Sequence, residues 1–104
     1  MTYARYKFQK AISELSRDGT LRERLINAFL VNLIHIDQAD LPETVRNDFL
    51  NFKYRIIQNH PETAYQTVES MVIKMDDPEV QKLIDTLFSM YEVISKQEYL
   101  DQVA

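Results

Sequence analysis

The sequence predicts an all-α fold, a compact bundle of about five antiparallel helices, and three observations carry that prediction. Glycine occurs once and proline three times in 104 residues, too few turn formers for the many short strands of an all-β protein. Leu, Glu, Gln, Arg and Lys, all good helix formers, are plentiful. The same helix-start chemistry also recurs four times, at Thr20–Glu23, Asp40–Glu43, Asn59–Glu62 and Asp76–Glu79. In each, a short polar side chain can accept a first-turn N–H while a glutamate three residues on reaches back. Pro42, Pro61 and Pro78 fall inside the last three of these boxes, where a missing N–H costs nothing.

The first helix is expected over Thr2–Arg17, where Ala4, Phe8, Ala11, Ile12 and Leu15 share one face and Asp18-Gly19 supplies the stop. The second is expected from Thr20 to Asp37. Its half from Ala28 to Ile36 is apolar except at Asn32 and His35, so it reads as the central core helix. Leu41–Gln58 forms the third, with Val45, Phe49, Phe52 and Ile56 on one stripe and Leu50, Tyr54 and Ile57 on a second. The fourth spans His60–Met75, gathering Ala64, Val68, Met71, Val72 and Met75 and leaving Ile73 isolated. The fifth runs from Pro78 to Lys96 or Leu100, with a seam of Val80, Ile84, Leu87, Tyr91 and Ile94. Connections of a few residues make sequential helices antiparallel neighbours.

One domain covering residues 1–104 follows from the length and from the lack of any linker, low-complexity tract or longer repeat. The net charge of −4 conceals an asymmetry: residues 1–24 hold six basic and three acidic side chains, and the remainder holds six basic and thirteen acidic. Either a charged partner is steered by this polarity or the basic segment folds back over acidic helices; the second is the expectation. The absence of cysteine excludes thiolate metal sites and disulfides. With no apolar leader and no apolar run near 20 residues, the expected setting is cytoplasmic, without a membrane.

The two histidines lie in no zinc-binding spacing, and one glycine rules out the common phosphate loops and the nucleophile elbow. Acidic pairs such as Asp76-Asp77 sit at helix ends and read as caps. His60 reads as a solvated turn residue. The expectation is a non-enzyme with no cofactor and no metal. Arg24, Asn32 and His35 would align with Ala28 as a narrow polar seam on the second helix, the one place for a remote enzymatic reading; internal hydrogen bonding is the expected use.

Two surfaces stand out as places for a partner. On the first helix Tyr3, Arg5, Tyr6, Lys7 and Lys10 interleave aromatic and basic groups, and positive charge in the first turns opposes the helix dipole. An acidic protein surface, including the fifth helix of a second copy, suits that patch; nucleic acid is the alternative. On the third helix Leu50, Tyr54 and Ile57 form a face suited to self-association if it is uncovered.

Leu21, Arg24, Leu25 and Ala28, followed by Asp40, Leu41, Pro42 and Glu43, give an L-x-x-R-L helix entering a D-L-P-E turn. This pattern, over less than a third of the chain, is similar to small uncharacterised bacterial all-helical proteins. The resemblance implies a bacterial cytosolic all-α domain and brings no activity or site residues. The expected function is a protein-interaction or regulatory module that self-associates, with a nucleic-acid-associated regulator as the alternative.

Overall fold

A computed structural model describes residues 2–57 and 64–104. Among them the chain is all-α, with helices α1 (Tyr3–Leu15), α2 (Leu21–Val31), α3 (Glu43–Ile57), α4 (Ala64–Lys74) and α5 (Asp77–Val103). Two short 3-10 turns, Leu33–His35 and Gln38–Asp40, link α2 to α3. The long dimension of 44 Å is set by the 27-residue α5, which at the helical rise extends about 40 Å.

Side-chain caps start three of the helices. Thr2 accepts the Arg5 N–H at 3.2 Å to open α1. Thr20 accepts the Glu23 N–H at 3.1 Å while the Glu23 carboxylate accepts the Thr20 N–H at 3.4 Å, so the expected box at α2 is complete. Asp76 caps α5 through the Glu79 N–H at 2.9 Å, which puts Pro78 at the second helical position. The box expected at Asp40 is replaced: Asp37 caps a 3-10 turn through Ala39 at 2.9 Å, Asp40 closes that turn, and α3 begins at Glu43. The box at Asn59–Glu62, His60 and the expected start of the fourth helix lie outside the described residues.

The core is one continuous cluster to which every helix contributes. Phe8 of α1 meets Phe49 of α3 with ring centroids 6.1 Å apart. Phe29 of α2 meets Phe52 of α3 at 6.2 Å. All four rings are buried, so α3 locks the first two helices together through tilted aromatic pairs. Helix α1 also packs on α2 and α5, and α3 on α4 and α5. The expected seam on α5 is present: Val80, Ile84, Leu87 and Ile94 are buried and Tyr91 packs against them.

Three further boundaries differ from the sequence expectation. The second helix stops at Val31, because the backbone leaves helical geometry at Asn32 (φ −123°, ψ −59°) and is extended by Ile36. Leu33 and Ile36 stay buried beyond the break, which is why the apolar pattern reads as unbroken helix. Helix α1 ends at Leu15 with Ser16 as its cap, and Gly19 serves instead as the left-handed residue (φ 119°) immediately before the α2 cap. Finally, α5 continues past Lys96 and Leu100 to Val103.

Candidate interaction surfaces

The amino-terminal basic segment divides into two groups by where its charges go. Arg5 turns inward: its Nη1 donates to Glu98 Oε1 at 3.4 Å. Arg22 donates to the Met75 carbonyl at 2.7 Å and pairs with Asp77 at 2.8 Å. Arg24 donates to the Leu15 carbonyl at 2.8 Å, satisfying a terminal acceptor of α1, and Arg17 pairs with Glu14 at 3.7 Å. Of the expected folding of the basic segment over acidic helices, Arg5 and Arg22 show it, each paired with a carboxylate of α5; Arg17 pairs within the basic segment itself and Arg24 bonds a neutral carbonyl.

Lys7 and Lys10 form the second group. Each lies over the tyrosine one turn earlier, Lys7 Nζ 5.8 Å from the Tyr3 ring centre and Lys10 Nζ 5.7 Å from that of Tyr6. Such pairs are worth about 0.5–1 kcal/mol at exposed sites. Tyr3 and Tyr6 remain about half exposed, at 50% and 46%. The expected patch therefore keeps Tyr3, Tyr6, Lys7 and Lys10 and loses Arg5, whose charge is committed to Glu98.

Glu98 was not foreseen as a site residue. Its carboxylate accepts from the Thr2 N–H at 3.3 Å and from the Thr2 hydroxyl at 3.1 Å, as well as from Arg5. Burial, the largest single influence, pushes the carboxyl up, but the hydrogen bonds and charge around it, the two Thr2 bonds foremost, together hold Glu98 below its ordinary value of 4.5. The signal lies in the sequence: Glu98 is the next position on the Val80–Ile94 seam, and a charge on a core seam demands a partner. One turn earlier the Ser95 hydroxyl is buried with no hydrogen-bond partner among the described residues.

The second expected face is only partly assembled. Leu50 and Tyr54 are 43% and 55% exposed, but Ile57 is 4% exposed and belongs to the core. The correction has a geometric cause, because Ile57 ends α3 where the bundle covers it. Leu50 and Tyr54 stand between two open grooves. One, of about 400 Å³, has Phe52 and Leu83 in its lining between α3 and α5, with Arg55 paired to Glu79 at its edge. The other, of about 440 Å³, runs from His35 and Asp37 to Leu50 and Lys53.

The polar seam is taken apart by the break in the second helix. Arg24 reaches the end of α1, Asn32 is buried where α2 stops, and His35 is exposed beyond the break beside the second groove. Three residues expected on one helix face thus serve three separate places. Among the described residues no group of three His, Asp or Glu is placed to hold a metal ion, and no helix is long and apolar enough to cross a membrane. No protein-family model, curated protein or solved structure matches the chain.

Proposed function

We propose that this chain is a non-enzymatic protein-interaction module that presents the outer face of α1 to an acidic, partly apolar protein surface. The observation that carries the reading is the division of the basic segment. Four arginines find acceptors inside the chain, while Lys7 and Lys10 are laid over Tyr3 and Tyr6 on an exposed face. Two aromatic rings bearing two cations offer both contact area and charge selection: tyrosine is enriched at protein interfaces, and the lysines select an acidic partner.

The same division weighs against nucleic acid. With the arginines engaged, two outward cations would neutralise about two phosphates and give a salt slope of only about −2. That footprint is too small for a nucleic-acid regulator of useful affinity.

Site-specific photo-crosslinking tests the reading. A photoreactive residue replacing Tyr6 should give protein adducts in cells, whereas the same residue replacing the exposed Asn27 of α2 should not. Adducts confined to nucleic acid, or equal yields at the two positions, would overturn it.

A further inference from the structure

The outer face of α1 has a counterpart on the same molecule. On α5 the groove toward α3 takes Glu79, Lys82, Leu83 and Thr86, while Glu98 meets α1. At about 100° per residue, Asp85, Phe88, Glu92 and Tyr99 fall within about 60° of one another on the flank away from that groove. Ser95, whose hydroxyl is buried, lies at the inner border of this flank. Phe88 and Tyr99 are 43% and 63% exposed, and Asp85 and Glu92 are exposed as well.

Both stripes carry the spacing of a helix-pairing seam. Tyr3, Tyr6, Lys10 and Ser13 on α1 are three, four and three residues apart; Asp85, Phe88, Glu92, Ser95 and Tyr99 on α5 are three, four, three and four apart. One stripe joins two aromatics to cations, and the other joins two aromatics to carboxylates. Neither Lys7, Lys10 nor Glu92 makes an ion pair within the chain among the described residues. The two stripes lie on helices that pack side by side.

We infer that the partner of the α1 face is the α5 flank of a second copy, forming a two-fold dimer in which each α1 lies on its partner's α5. A two-fold contact uses the same surface on both molecules, so every patch must find its complement on that surface. Here the cationic stripe meets the acidic one twice. Like stripes set against each other would place lysine on lysine and carboxylate on carboxylate, so the charge pattern selects the crossed arrangement. This inference rests on the interaction reading above and names its partner.

Light scattering on size-exclusion fractions over a concentration series tests it with four proteins. The full chain should form a reversible dimer. Lys7→Glu with Lys10→Glu, and Asp85→Lys with Glu92→Lys, should each weaken dimerisation at least tenfold, because each sets like charges together at both contacts. An equimolar mixture of the two variants should recover a dimer, since both contacts in the mixed species are then of opposite charge. Recovery also shows that both variants are folded. A wild-type monomer at the highest concentration, variants that dimerise like wild type, or a mixture that stays monomeric would each overturn the inference. Leu50→Asp should leave the dimer intact; its loss would move the contact to α3. Crosslinks from Tyr6 to a different protein, with a monomeric wild type, would sink the dimer and leave the interaction reading standing.

Discussion

Arg5 and Glu98, 93 positions apart in sequence, meet at 3.4 Å and tie the start of α1 to the last turns of α5. Thr2 completes the contact, giving the Glu98 carboxylate both a cation and two hydrogen-bond donors. Such a contact closes the bundle across nearly the whole chain. It also links folding to pH, because the folded state holds Glu98 below its ordinary value of 4.5. A carboxyl lowered on folding stabilises the fold above its unfolded value, and that stabilisation is lost as pH falls through the lowered one. Glu98→Gln should therefore reduce Tm at neutral pH, and the gap from wild type should narrow on acidification below 4.5. Melting curves at several pH values measure it; a gap that does not change with pH would contradict the assignment.

Ser95→Ala should be neutral or stabilising. Its hydroxyl is buried without a partner among the described residues, and leaving a buried polar group unsatisfied costs about 1–3 kcal/mol. Removal of that oxygen relieves the cost and leaves a good helix former behind. Urea unfolding of the variant should give a midpoint at or above that of wild type. A clear fall in the midpoint would mean that the hydroxyl has a partner in solution.

The turn between α1 and α2 should be sensitive to single atoms. At Gly19 the backbone has φ 119°, and an added Cβ would come within 2.9 Å of Glu23 Oε2, the same oxygen that accepts the Thr20 N–H. Gly19→Ala thus combines backbone strain with damage to the cap, for a loss of about 1–3 kcal/mol. Thr20→Ala removes only the cap's acceptor and should cost about 1 kcal/mol. Chemical denaturation should rank the two in that order. If Thr20→Ala proved the more damaging, the strain at Gly19 would be negligible.

The parts legible in the sequence are those governed by local chemistry. The Thr20 box, the Asp76 cap and the apolar stripes of α1, α3 and α5 depend on residues within a turn or two, so spacing reveals them. The break at Asn32 is hidden because Leu33 and Ile36 remain buried beyond it; hydrophobic periodicity records burial and is silent on whether the backbone stays helical. Glu98 was readable as a charge continuing a core seam, yet its partners came from the far end of the chain. Arg5 fell out of the expected patch for the same reason. Which of several basic residues turns inward is decided by the tertiary neighbour, and the Asp85–Tyr99 flank became visible only once Thr86 and Glu98 fixed which sides of α5 were taken.

Two large-to-small apolar substitutions should separate by more than their difference in size. Phe52 is 2% exposed and its ring lies 6.2 Å from that of Phe29; it also contributes to the lining of the groove between α3 and α5. Phe52→Ala removes the ring and leaves a cavity between α2 and α3, costing about 3–5 kcal/mol. For a domain of ordinary stability, about 5–15 kcal/mol, that is enough to unfold a large fraction of molecules on warming. Ile73, at 66% exposure, sits on the outer side of α4, and Ile73→Ala should change stability by no more than about 0.5 kcal/mol. Denaturant midpoints of the two variants provide the comparison. Equal effects would mean that Ile73 is covered in solution, either by a partner or by a bundle packed differently around α4.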